Sequence, residues 1–200
     1  MVRAAWGQYR CWCGRIANES GRPLRLRGGP VPAIGPVECL VMARQLDNPG
    51  KRIRLFLVDD EPLVRRGLRM LFNVQPDLEV CGEAETEAEA LKGILARQPH
   101  LAVVDLTLKD GDGLALIRQL HLRCPALKIL VFSMHAQVQF ATAACAAGAH
   151  GYVVKEEGTE QVLEAIHVLM DGGCYLSEQM AAKAPGLLPR TKPRGKTGVP

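Results

Sequence analysis

The sequence predicts an α/β fold, a five-stranded parallel sheet with helices on both faces, and three observations carry it. From Ile53 onward, a short apolar run followed by an amphipathic segment recurs five times. The runs are apolar at consecutive positions, as in strands buried on both faces. Alternation of strands with helix-length segments calls for a parallel sheet with right-handed crossovers.

Ile53-Arg-Leu-Phe-Leu-Val58 is the first strand. It ends in Asp59-Asp60-Glu61, and Pro62 stands where a helix accepts proline, at its first position. Val64, Leu68, Leu71 and Phe72 line one face of that helix, and Gln75-Pro76-Asp77 stops it. Leu78 to Glu83 is the second strand. Thr86 to Arg97 is the second helix, with Ala88, Leu91, Ile94 and Leu95 inward and Pro99 as its stop. Leu101-Ala-Val-Val104 is the third strand and delivers Asp105 at its end. Leu114, Ile117 and Leu120 mark a third helix. Lys128 to Phe132 is a fourth strand ending at Ser133. Val138, Ala141, Thr142 and Cys145 mark a helix of small residues stopped by Gly148. Gly151-Tyr-Val-Val154 is the fifth strand and ends at Lys155. Val162, Ala165, Ile166 and Leu169 face inward on the last helix.

The flanks differ from this middle. Residues 1–50 are rich in Gly, Pro and Arg without sustained periodicity and read as a disordered extension. Residues 177–200 read as a disordered basic tail, which leaves 51–176 as the folded domain. Of 200 residues, 48% are hydrophobic and only 4% aromatic, so the core must be aliphatic; the net charge is +4. Seven cysteines are scattered without a Cys-x-x-Cys pair, which indicates neither a zinc site nor a disulfide framework and suits a reducing, cytoplasmic compartment. No run approaches the ~20 apolar residues that span a bilayer. Asp110-Gly-Asp-Gly113 is not led in by a strand, as a phosphatase Asp-x-Asp would be. Gly195-Lys-Thr197 lacks the strand a phosphate-binding loop needs. The five histidines (His100, His121, His135, His150 and His167) show no metal-ligand spacing and read as surface residues.

Parallel strands place their carboxyl ends on one edge, where α/β sheets do their chemistry. Asp59, Asp60, Asp105, Ser133 and Lys155 therefore converge. Clustered carboxylates repel unless a cation neutralises them, and Mg²⁺ suits such oxygen donors because it favours phosphate as a co-ligand. A lysine and a hydroxyl at the same edge suit an incoming phosphoryl group.

With Asp105-Leu-Thr-Leu-Lys-Asp-Gly-Asp-Gly-Leu114 and Ala147-Gly-Ala-His-Gly-Tyr-Val-Val-Lys155, this pattern resembles the receiver domain of two-component response regulators of the LuxR/NarL type. The resemblance covers about residues 53–174. It implies a flavodoxin-like (CheY-like) doubly wound sheet with strand order 2-1-3-4-5. It implies that Asp105 accepts a phosphoryl group from a sensor histidine kinase or phosphotransfer protein. Asp59, Asp60, Asp105 and the backbone carbonyl of Thr107 would hold Mg²⁺. Ser133 and Lys155 would contact the phosphoryl group, and Tyr152 would be the switch aromatic, turning inward as Ser133 moves. Such a domain accepts and slowly loses its own phosphoryl group rather than turning over a substrate, and two phosphorylated copies could pair.

Two positions depart from the family pattern: Lys109 and Glu156 stand where many relatives have Pro. Only about 25 residues follow Tyr175, too few for the helix-turn-helix module of this type. The expectation is a receiver without that module, with DNA binding unlikely from this chain alone. The alternative is a DNA-binding transcriptional response regulator whose output domain is truncated or lost.

Overall fold

A computed structural model describes residues 52–184 and residue 187. The expectations for residues 1–50 and for most of the basic tail lie outside the described residues. The described residues belong to one compact unit.

The strands are β1 (Ile53–Val58), β2 (Leu78–Ala84), β3 (Leu101–Val104), β4 (Thr107–Leu108), β5 (Gly111–Asp112), β6 (Lys128–Ser133), β7 (Gly151–Val154) and β8 (Tyr175–Leu176). The helices are α1 (Pro62–Asn73), α2 (Glu87–Arg97), α3 (Gly113–Arg123), α4 (Val138–Ala147), α5 (Glu160–Met170) and α6 (Glu178–Lys183). A 3₁₀ turn, Lys155–Glu157, follows β7. The main sheet runs β2-β1-β3-β6-β7-β8, and its pairings are parallel. It has six strands where the pattern predicts five. The extra strand, β8, pairs through only Gly151↔Tyr175 and Tyr152↔Leu176, too short a run to show period-2 alternation. β4 and β5 form a separate antiparallel hairpin inside the loop after Asp105.

The pleat divides the apolar residues between two cores. Phe56, Val58, Val104, Val131 and Tyr152 face α2, α3 and α4. Leu55, Leu57, Val103, Phe132 and Val153 face α1 and α5. Consecutive residues of one strand thus serve opposite faces, which is why the runs carry no polar alternation.

Two helices match the predicted faces only in part: Leu91 and Ile94 on α2 and Val138 and Ala141 on α4 pack inward as expected. On α2 the buried residues are Ala90 and Ile94, while Leu95 is 39% exposed and Ala88 is also exposed. On α4 they are Ala141, Ala144 and Ala147. Thr142 is exposed and its hydroxyl donates back to the Val138 carbonyl, 2.9 Å away. The chain also stays folded beyond the boundary set at 176: Ser177 and Met180 are fully buried, and α6 follows β8 directly. Among the described residues, no helix is long and apolar enough to cross a membrane.

Candidate functional site

β1 and β3 lie side by side, with Val58 opposite Val104, so Asp59 and Asp105 leave the sheet as neighbours. The Asp105 N–H donates to the Val58 carbonyl at 2.8 Å, which continues the ladder one step and fixes the spacing of the two carboxylates. Both are buried, while Asp60 is half-buried. Oxygen atoms of Asp59, Asp60 and Asp105 all lie within 4.8 Å of one another. Lys155, arriving from the end of β7, places Nζ 2.7 Å from Asp59 Oδ2 and 2.6 Å from Asp105 Oδ2.

Burial pushes the Asp59 carboxyl above its ordinary pKa. Hydrogen bonds from Lys155 and from the Glu61 N–H oppose that rise without cancelling it, and the Asp105 charge adds to it. For Lys155, burial works against the charged form, but its hydrogen bonds and attractions to Asp105 and Asp59 outweigh it and raise the pKa. The ammonium therefore stays charged at neutral pH. Asp105 Oδ1 accepts from the Leu106 N–H at 2.6 Å, leaving Oδ2 to Lys155.

Ser133 ends β6, is 1% exposed, and its hydroxyl has no hydrogen-bond partner. An unpaired buried hydroxyl is costly, and this one stands beside the Tyr152 hydroxyl. Tyr152 is already turned inward: it is fully buried and donates to the His135 carbonyl at 2.7 Å. Burial first, and then the Asp105 charge, raise its phenol pKa. Thr107 lies in β4; its N–H points at Asp105 Oδ1, 3.4 Å away.

The structure thus brings Asp59, Asp60, Asp105 and Lys155 together, sets Ser133 beside the Tyr152 hydroxyl, and adds other residues. His135, which reads in sequence as a surface residue, is half-buried. Its ring stacks on Phe140 at 4.1 Å, and Nε2 lies 3.1 Å from the Thr107 hydroxyl. It joins the Asp105 loop to the Tyr152 hydroxyl. Its place two residues beyond a polar strand end was the signal available. Arg65 Nη1 donates to the Asp59 carbonyl at 2.5 Å, and its guanidinium lies 3.6 Å from Glu83 and 3.8 Å from Glu85. It bolts the β1–α1 turn to the end of β2, a pairing with no signature in local sequence.

The Asp105 loop is closed by Gly113. A Cβ there would lie 2.3 Å from the Asp105 carbonyl oxygen and 2.6 Å from Leu106 Cα. Gly113→Ala is therefore expected to cost about 1–3 kcal/mol in urea unfolding by overpacking against backbone. Gly67 offers the control. Nothing lies within 4 Å of its missing Cβ and it sits inside α1, so Gly67→Ala is expected to gain about 0.5–1 kcal/mol.

The response regulator receiver domain family model matches residues 55–167. The chain belongs to that family. It is 38% identical over 130 residues to the DNA-binding transcriptional activator DevR/DosR of Mycobacterium tuberculosis, covering 65% of this chain and 60% of that protein. It is 32% identical over 131 residues to the transcriptional regulatory protein UhpA of Escherichia coli K12, over 66% of this chain and 65% of the relative. The chain thus spans less than two thirds of the length of these relatives. Among solved structures, a two-component response regulator of the LuxR family from Aurantimonas sp. SI85-9A1 superposes with TM-score 0.64 at 34% identity, over 66% of this chain and 95% of that one. The receiver domain is thus of the two-component, LuxR/NarL-related kind whose named relatives regulate transcription.

Proposed function

We propose that this receiver is the phosphoacceptor of a two-component phosphorelay, taking its phosphoryl group on Asp105 from a sensor histidine kinase or phosphotransfer protein. The observation that carries this is the buried Asp105 carboxylate, held at a strand end by Lys155 within a cluster of three carboxylates. A carboxylate oxygen of Asp105 bonds to phosphorus as the donor's phosphorus–nitrogen bond breaks, and the electron pair stays on the donor nitrogen.

The three clustered carboxylates are hard oxygen donors and fit Mg²⁺. Asp59, Asp60, Asp105 and the Thr107 carbonyl would hold the ion, which when bound supplies positive charge for the phosphoryl oxygens. Lys155 gives a fixed positive charge to the same group. The Ser133 hydroxyl, which has no well-formed hydrogen bond although the Tyr152 hydroxyl stands beside it, supplies a donor free to turn to an arriving acceptor. Phosphorylation brings up to about two negative charges, and Ser133 moving toward them displaces the chain through His135. Because Tyr152 is already inward, its part as switch aromatic is to follow the His135 carbonyl rather than to swing in from solvent. The result is a shift between two populations of a partner-binding surface.

The test is intact mass after incubation with Mg²⁺ and acetyl phosphate. One phosphoryl group should be gained, blocked by a chelator and lost in Asp105→Asn. No gain by a folded protein would sink the assignment.

DNA-binding transcriptional regulation is the second reading, favoured by the likeness to DevR/DosR. It predicts binding of the natural full-length protein to duplex DNA that weakens steeply with salt; salt-independent or absent binding rejects it.

A further inference from the structure

α6 is fastened at both ends to the loops that carry Ser133 and Lys155. At its start, the Ser177 N–H donates to the Tyr152 carbonyl at 2.9 Å. The buried Ser177 hydroxyl donates to the carboxylate of Glu157, and the Gln179 N–H donates to Glu157 Oε2 at 3.1 Å. Glu157 lies two residues beyond Lys155, in the 3₁₀ turn. At the end of α6, Lys183 Nζ donates to the Ala136 carbonyl at 3.2 Å and to Gln179 Oε1 at 3.1 Å. Ala136 lies three residues beyond Ser133 and next to His135, whose carbonyl holds the Tyr152 hydroxyl. Between these ends, Met180 is fully buried in the core that contains Tyr152, Ala141 and Ala144.

A helix of six residues does not persist alone in water. α6 exists because these contacts hold it, and the polar ones that leave the helix end on Tyr152, Glu157 and Ala136, each within three residues of Lys155 or Ser133 in sequence. We propose that α6 is a clasp that reports the phosphorylation state. It is docked while Asp105 carries no phosphoryl group and is released when the Ser133–Ala136 loop is drawn toward one, uncovering the Met180 seat on α4 and β7. The inference rests on the phosphoacceptor reading. Release is the direction proposed because Ala136 lies three residues beyond Ser133 in the segment that would move, while Glu157 and the Met180 seat hold α6 from the other side.

Hydrogen–deuterium exchange on the full chain tests this, with intact mass read on the same samples. With Mg²⁺ and acetyl phosphate, amides of residues 178–184 should exchange about tenfold faster, and Asp105→Asn should abolish the change. In the unphosphorylated protein, Lys183→Met should speed exchange of the same amides several-fold while the amides of β1 and β3 stay protected. A phosphoryl group gained with exchange at 178–184 unchanged or slowed overturns the clasp and leaves the phosphoacceptor reading standing. Unchanged basal exchange in Lys183→Met also overturns it, because the Ala136 anchor would then hold nothing. No phosphoryl mass at all overturns both.

Discussion

Lys155→Met is expected to remove about 3–4 kcal/mol of folding stability at pH 7, the scale for breaking a buried ion pair by deleting one partner. Lys155 is the cation bonded to both buried carboxylates, at 2.7 Å from Asp59 and 2.6 Å from Asp105, and its own side chain is only 6% exposed. Without it, two negative charges share a buried edge. The protein can relieve this by binding a proton, and at pH 7 protonating one carboxyl of ordinary pKa costs about 4 kcal/mol, which caps the loss. The pH dependence has a definite sign. The Asp59 pKa is raised in the folded state, so its burial costs stability above that raised pKa, and the cost fades as pH falls through it. The Lys155 pKa is also raised, so its contribution is complete below the ordinary lysine pKa and is lost only as pH rises through the raised one. The gap between wild type and Lys155→Met should therefore be widest near neutral pH and should close near pH 4. Urea unfolding at the two pH values, with and without Mg²⁺, measures it, and added Mg²⁺ should restore more stability to the variant than to the wild type. Equal midpoints at pH 7 would mean that the carboxylates tolerate one another without Lys155.

The same geometry explains why the site was so legible in sequence. A parallel sheet turns strand order into spatial proximity. Asp59, Asp105, Ser133 and Lys155, spread over nearly half the chain, could be grouped by one feature, the polar residue that ends an apolar run. What could not be read was how they pair. Nothing in the sequence says that Lys155 bonds Asp59 as well as Asp105, or that Ser133 is left with no partner. His135 and Arg65 escaped because their partners, Thr107 and Asp59 among them, come from other elements. Their roles depend on the packing of loops, which periodicity does not encode.

In the fold, misreadings fell where the hydrophobic contrast is weak. In α4, alanines at 141, 143, 144, 146 and 147 make nearly every angle look alike, so the buried set Ala141, Ala144 and Ala147 has no competitor pattern to stand against. In α2, Ile94 is buried as predicted, but Ala90 is buried with it while Ala88 and Leu95 are exposed. β8 and α6 are brief, and their anchoring is mainly polar, through Ser177, Glu157 and Lys183. Tyr175, Leu176, Met180 and Ala184 supply the buried or packed apolar positions, too few to establish a period.

Acidification should act on a second group, the half-buried His150, with the sign opposite to that of Asp59. His150, at the entry to β7, uses both of its polar ends on one residue of β6. Its N–H donates to the Ile129 carbonyl at 2.8 Å, and its Nδ1 accepts the Ile129 N–H at 3.2 Å. A protonated ring could not accept that bond. Burial, with help from the charges of Lys128 and His121, lowers its pKa to about 4. The unfolded chain therefore takes up this proton first. The stability His150 contributes is complete above its ordinary pKa of about 6.5 and is lost progressively as pH falls toward 4, by about 3 kcal/mol in all. His150→Asn isolates the effect, because the amide oxygen can accept the Ile129 N–H and does not titrate. Stability measured by urea unfolding from pH 7 to pH 4 should fall more steeply in the wild type than in His150→Asn. The difference between the two curves is the informative quantity, since the Asp59 contribution is common to both and cancels. Parallel curves would show that His150 is charged in the folded protein or that the bond to Ile129 does not restrain its titration.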